Sequence, residues 1–297
     1  MDSVVIKAMA KVNLGLDVLR RRENGYHDVK MVMQTVDLYD TLTICKREDT
    51  QIVITTNVGE LPLTEDNLIY KAAKLLFSEA KKEYGVSIHL DKQIPIAAGM
   101  AGGSTDAAAT LLGVNALYGL RFEKEELARI GVKIGADVPY CIYGGTYLSE
   151  GIGEVLTKLP DAPDCFVVIA KPGIGVSTKY VYENLHIENV SDHPDVDGMI
   201  EAIKEGSLTG VTEKMANVLE NVTVKRYPEI ATMKACLEDN GAMRALMSGS
   251  GPTVFGIFSE KEKTETALER LKETGLVKQG FITTLAKETG LMEEGEE

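Results

Sequence analysis

The chain lacks a basic excess. Its 32 Lys and Arg stand against 45 Asp and Glu, giving a net charge of −13 over 297 residues. A broad nucleic-acid surface needs clustered Lys and Arg, so that class is excluded. A small anion held by local backbone N–H groups is not. No run of about 18 apolar residues occurs, so nothing is expected to span a membrane. Asp2 and Lys7 stand where a secretory leader would be apolar, and none is expected. Cysteine is scarce: Cys45, Cys141, Cys165 and Cys236 form no C-x-x-C. A zinc site or redox pair is therefore not expected, and buried free thiols in a reducing, cytoplasmic compartment are. His27, His89, His186 and His193 make no H-E-x-x-H, and no metal ligands can be named. There is no internal repeat and no low-complexity linker.

What is present is glycine placed with purpose. A strand-like segment, residues 86–94, runs into Pro95, Ile96, Ala97, Ala98, Gly99, Met100, Ala101, Gly102, Gly103, Ser104 and Thr105, and then into an alanine-rich helix. Glycines let a backbone approach an anion, and the free N–H groups at a helix start point at it with a favourable dipole. Ser104 or Thr105 is expected at the N-cap, and a branched side chain at Gly103 is expected to collide with a bound phosphate or deny the backbone a conformation that only glycine adopts readily. The loop is not a Walker A, because no lysine follows Gly103, and no G-x-G-x-x-G reads through it. The alternative is a glycine-rich turn before a closely packed helix.

The hydropathy pattern alternates strands with helices. Strands are expected at residues 4–18, 31–36, 40–45, 51–56, 86–94 and 145–149, with a charged turn at 20–25, and helices at 66–84, 105–117 and 124–135. Residues 160–163 mark a boundary, giving an N-terminal domain over 1–160 and a C-terminal domain over 161–297. Strands at 165–170, 245–247, 253–258 and 281–285 and helices at 199–204, 230–238 and 261–274 follow. The acidic tail 292–297 is expected to be disordered. The mixture implies an α/β (α+β) chain of two layered units.

Four further patterns stand out. Ser248-Gly249-Ser250-Gly251-Pro252-Thr253 repeats the glycine and hydroxyl chemistry of the first loop, with Gly249, Ser250, Gly251 and Thr253 as candidates to face an anion; a strand-connecting turn is the alternative. Asp137 in Gly135-Ala136-Asp137-Val138-Pro139 is either a helix cap or a functional carboxylate. Lys11 interrupts an apolar strand, and a buried lysine needs a partner; otherwise it lies at an edge with its head in solvent. A Lys–Asp pair beside a phosphate suits phosphoryl transfer, which asks a protein to position groups and neutralise charge. Gly25-Tyr26-His27 offers a ring to stack and an imidazole to hydrogen-bond, or merely closes a hairpin.

Taken in order, Ala10-Lys11-Val12-Asn13-Leu14, Asn24-Gly25-Tyr26-His27, residues 95–105, Gly135 to Pro139 and Ser248 to Thr253 resemble the signatures of the 4-diphosphocytidyl-2-C-methyl-D-erythritol kinase family, one of the GHMP small-molecule kinases. Gly151-Ile152-Gly153-Glu154 and Asn217-Val218-Leu219-Glu220 also fit. The resemblance covers nearly the whole chain. It implies an N-terminal domain like the second domain of ribosomal protein S5 and a ferredoxin-like C-terminal domain. It also implies ATP-dependent phosphorylation of the 2-hydroxyl of a cytidylated methylerythritol in non-mevalonate isoprenoid synthesis. On that likeness Asp137 is the base, Lys11 its cationic partner, residues 95–105 the ATP-phosphate loop, and Asn13, Tyr26, His27 and Tyr182 the substrate site. ATP and Mg2+ are the implied cofactors, and a monomer or weak homodimer the implied assembly. Another GHMP kinase acting on homoserine or mevalonate, or a non-catalytic nucleotide-binding module, are the rival expectations.

Overall fold

The computed structural model describes residues 2–190, 193–287 and 290–291; the tail expected to be disordered lies outside them. The chain opens with a long antiparallel hairpin, β1 (Ser3–Arg21) and β2 (His27–Arg47). Sequence patterning suggests two strands, 31–36 and 40–45, where β2 is one. In the structure Asp40 is buried within the strand and satisfied by tertiary partners. One edge of β2 pairs with β1. The other is shared between β4 (Gly85–Asp91) and β5 (Thr146–Gly151). β3 (Ile52–Thr56) runs parallel to β4, and β6 (Val155–Lys158) closes the β5 edge. Helices α1 (Leu68–Glu79), α2 (Gly102–Tyr118), α3 (Lys124–Val132) and α4 (Val138–Tyr143) accompany this sheet. The short side chains of Ala107, Ala108, Ala109 and Gly113 let α2 lie close to the strands.

The second sheet holds β7 (Phe166–Pro172), β8 (Arg244–Met247), β9 (Val254–Phe258) and β10 (Val277–Thr284). Its order is β10-β7-β9-β8, all antiparallel. That is the ferredoxin-like order 4-1-3-2, with α9 (Glu229–Asp239) and α10 (Lys261–Glu273) packed on it. Between β7 and α9 come α5 (Thr178–Glu183), α6 (Val196–Lys204), α7 (Leu208–Glu213) and α8 (Glu220–Arg226). A final short strand, β11 (Gly290–Leu291), pairs with β1. Among the described residues no helix is long and apolar enough to cross a membrane.

The path of β1 positions the site. Ile6, Ala8, Leu16 and Val18 belong to one hydrophobic core, whereas Ala10, Val12 and Leu14 belong to the other. Strict alternation would keep all even positions on one face. The register shifts between Met9 and Lys11 and again between Asn13 and Gly15, and each irregularity turns the strand over. Ala10, Val12 and Leu14 thus meet Val167, Ile169, Leu246, Phe255 and Ile257 of the second sheet. Lys11 and Asn13 emerge on the opposite side. The second core therefore joins the two sheets.

A Cβ added to Gly113 would lie 2.5 Å from Ile44 Cδ1 and 3.5 Å from Val4 Cγ2. Gly113→Val should therefore overpack the contact between α2 and the strands and destabilise the fold by about 1–3 kcal/mol. Urea unfolding measures this; an unchanged midpoint would mean that Ile44 simply swings aside.

Candidate active site

A cleft of ≈1060 Å³ opens between the hairpin, the 95–105 loop, α1, α4, α5 and the Ser248–Thr253 turn. Lys11, Asn13, Tyr26, His27, Asp137, Tyr182, Gly249 and Ser250 all line it, with every residue from Pro95 to Ser104. Segments more than two hundred residues apart in the chain thus converge on one space. Thr105, Gly251 and Thr253 do not reach it. Thr105 is buried within α2 beside the Cys141 thiol, and Thr253 is fully buried behind the turn.

The 95–105 loop does not start its helix as the sequence suggested. The N-cap of α2 is Ala101, not Ser104 or Thr105, and no side chain caps it. The first-turn N–H groups therefore have no intrahelical partner and no side-chain cap. Ala97, Gly99 and Ala101 take positive φ values of 51°, 72° and 58°. Alternating the sign of φ turns successive N–H groups into a concavity suited to an anion. Left-handed alanines are costly, and such strain marks functional loops. The demanding glycine is Gly99 rather than Gly103. A Cβ on Gly103 would meet only Leu68 Cδ1 at 3.4 Å, whereas one on Gly99 would fall 2.2 Å from the Ser248 carbonyl oxygen. Ser248 Oγ donates to the Gly99 carbonyl at 2.9 Å, and Lys11 N–H donates to the Met100 carbonyl at 3.2 Å.

Lys11 is buried, not an edge residue with its head in solvent. Its Nζ donates to Asn13 Oδ1 at 2.8 Å and lies 3.9 Å from Asp137 Oδ2. The lysine side chain is 6% exposed and that of Asp137 32%. The cation sits at the floor with the carboxylate above it, facing the cleft. Asp137 occupies the N-cap position of α4 but makes no capping bond, so its oxygens are not committed to the helix. α4 itself is pinned. Gly145 N–H donates to Thr35 Oγ1, and Tyr140 Oη donates to the Gly145 carbonyl. The 2.9 Å contact between Thr35 Oγ1 and Tyr140 Oη then takes its proton from Thr35, closing a buried ring.

The far end of the cleft carries aromatic groups. His27 is buried at the start of β2 and its ring lies 5.2 Å from that of Tyr182, tilted by 37°. Burial and the neighbouring Arg21 push the His27 pKa below its ordinary value of 6.5, so the ring is neutral at pH 7 and offers one donor and one acceptor. Burial, then the charge of Asp137, pushes the Tyr182 phenol up, so it stays protonated. Tyr26 is 59% exposed at the rim. Its place is set by the turn, where Arg22 N–H donates to the Tyr26 carbonyl and Asn24 Oδ1 accepts from Tyr26 N–H. Arg20 and Arg22 both pair with Asp28 and hold its carboxyl below the usual range.

Asn217 carries no individual signal in the sequence. Its Nδ2 donates to the carbonyls of Met247 and Gly249, both at 2.8 Å, and its Oδ1 accepts from Leu219 N–H. The neighbouring backbone joins Leu16 of β1. Lys92, Asp40 and Asp106 carry none either; they form a buried ion cluster beneath the loop. In sequence either group shows no more than a polar residue in an apolar setting.

Residues 67–145 match the family model for the GHMP kinases N terminal domain, and residues 199–276 match that for the GHMP kinases C terminal domain. A 4-diphosphocytidyl-2-C-methyl-D-erythritol kinase of Lachnospira eligens is 52% identical over 95% of this chain and 98% of its own length. One of Lachnoclostridium phytofermentans is 51% identical over 95% and 97%. The crystal structure of a 4-(cytidine 5'-diphospho)-2C-methyl-D-erythritol kinase superposes with a TM-score of 0.80 at 32% identity, over 95% of this chain and 99% of that one. A homoserine kinase from Cytophaga hutchinsonii superposes at 0.79 with 20% identity over 98% and 96%, a likeness of fold alone. The double match to the family models and the near-full-length identity place this chain among the GHMP kinases, in the 4-diphosphocytidyl-2-C-methyl-D-erythritol kinase family.

Proposed function

We propose that the cleft transfers the γ-phosphoryl group of ATP to the 2-hydroxyl of 4-diphosphocytidyl-2-C-methyl-D-erythritol, a cytoplasmic step toward isoprenoid precursors. The observation that carries this reading is the Lys11–Asp137 pair, 3.9 Å apart at the floor of a cleft walled by the glycine-rich 95–104 loop. A binding module would have no use for a buried cation set against an uncapped carboxylate. The near-full-length identity to relatives of that name selects this alcohol over homoserine or mevalonate.

Asp137 accepts the hydroxyl proton as the substrate oxygen attacks the γ-phosphorus. The new P–O bond forms as the bond to the ADP oxygen breaks, and ADP leaves with the electron pair. Phosphoryl transfer is mostly positioning and charge stabilisation. The loop from Pro95 to Ser104 holds the phosphates through its N–H groups, and Gly249 and Ser250 approach from the other half. Lys11 sets its ammonium beside the Asp137 carboxyl and neutralises the transferring group. Mg2+, bound with the nucleotide, would supply charge neutralisation at the phosphate oxygens. Among the described residues no cluster of three His, Cys, Asp or Glu could hold a metal, so the residues present do not form a resident metal cage. Tyr26 stacks on the cytosine, neutral His27 pairs with its edge, Tyr182 closes the opposite side, and Asn13 faces the polyol.

A coupled ADP-release assay with the cytidylated diol, homoserine and mevalonate tests the reading, and turnover of only the latter two would overturn it. Asp137→Asn should lose about 10²–10⁴ in kcat while calorimetry shows nucleotide still bound. Retention of half the wild-type kcat would reduce Asp137 to a helix-start residue.

Tyr26→Ala should raise KM for the cytidylated substrate roughly 10-fold, the scale of one base–aromatic stack. KM for ATP and the melting temperature should not move, because Tyr26 is 59% exposed and covers no core. An unchanged KM for the diol would remove Tyr26 from the site.

A further inference from the structure

Three ionisable side chains that the reaction does not use are buried together under the 95–105 loop. Asp40 comes from β2, Lys92 from the segment after β4, and Asp106 from the first turns of α2; their side chains are 0%, 5% and 5% exposed. Asp40 Oδ1 accepts from the N–H groups of Gln93 at 2.6 Å and Ile94 at 2.7 Å, the residues that lead into the loop. Asp40 Oδ2 accepts from Lys92 Nζ. Lys92 Nζ also donates to Asp106 Oδ2 at 2.8 Å, where the loop has just become helix. Both ends of the loop therefore meet at one ammonium group. Gly102 makes room for it, since a Cβ there would lie 3.1 Å from Lys92 Nζ.

The two carboxyls are not equivalent. Asp40 receives three donors. Asp106 receives one, and its Oδ1 has no hydrogen-bond partner. Burial, opposed by the Lys92 charge, pushes the Asp106 carboxyl well above the usual carboxylate range. A buried ion cluster is seldom more stabilising than apolar packing of the same volume, so its value here lies in where it holds the backbone.

We propose that Asp40, Lys92 and Asp106 are positioning residues, a buried strap that ties the start of the 95–105 loop to the start of α2 and so sets the loop's N–H groups for the nucleotide phosphates. The strap rests on the reading of that loop as the phosphate site. The middle of the loop is fixed independently by Ser248 and by Lys11 N–H, so slackening its ends loosens phosphate contacts without unmaking the Lys11–Asp137 pair.

The test is calorimetry with Mg·ADP and a non-hydrolysable ATP analogue, together with both KM values. In Asp40→Asn an amide N–H₂ would face the Lys92 ammonium or the two backbone donors. Nucleotide affinity should fall roughly 10- to 100-fold, the cost of an unpaired buried polar group, while KM for the cytidylated substrate stays within about threefold. Asp106→Leu should weaken nucleotide binding similarly. Asp106→Asn should rescue it to within about threefold, because a neutral amide still accepts from Lys92. A merely structural role would move both KM values together and would not separate Asn from Leu at position 106. Should Asp40→Asn fail to fold, Lys92→Met decides, with the same loss of nucleotide affinity expected. Wild-type affinity in Asp40→Asn or Lys92→Met, or equal losses in Asp106→Asn and Asp106→Leu, overturns the strap alone. Absence of nucleotide binding by the wild-type protein overturns the phosphate reading and the strap with it.

Discussion

The backbone contact between Gly99 and the Ser248–Gly251 turn is the constraint on which the geometry of the cleft depends. No side chain fits at position 99, because a Cβ would lie 2.2 Å from a carbonyl oxygen. The two glycine-rich segments therefore form one continuous wall, although they belong to different sheets. Asn217 extends the same unit. It grips the turn through the carbonyls of Met247 and Gly249 while its neighbours pair with Leu16 on β1. Strand, loop and turn are thus held in a fixed relation by hydrogen bonds to main-chain carbonyls.

The second constraint is the turning over of β1. A plain strand would keep Ala10, Val12 and Leu14 on the face of Ile6 and Ala8 and turn Lys11 and Asn13 to the opposite face. The two irregularities that bracket them instead give Ala10, Val12 and Leu14 to the core between the sheets and Lys11 and Asn13 to the cleft. The polar face gained this way is small and nearly dry. An ammonium beside a carboxylate in such a setting interacts more strongly than the same pair in water. The left-handed alanines at 97 and 101 show a similar compromise, local strain held in place by the surrounding packing.

The sequence by itself determined the order and type of most elements, because hydrophobic periodicity survives in any fold that buries one face of each element. The helices beginning at Leu68, Gly102, Lys124 and Lys261 and the strands ending at Thr56 and Phe258 are legible that way. It also exposed the residues whose chemistry is out of place in their surroundings: Lys11 in an apolar strand, the glycines of 95–105, and Asp137 before a proline. Tertiary structure decided what those residues touch. Lys11 and Asp137 are 126 positions apart, and only the reversed strand face and the pinned α4 bring them to 3.9 Å. Periodicity puts Asp40 at the start of a strand but says nothing of its depth, because a buried carboxylate is indistinguishable from an exposed one until Lys92 and two backbone N–H groups arrive to satisfy it. The same holds for Gly99 over Gly103: both are glycines in one loop, and which of them lacks room for a side chain is settled by a carbonyl oxygen 149 residues away in the chain. Local propensity carries no information about such partners, since contacts between distant segments exist only once the two sheets have closed on their shared core.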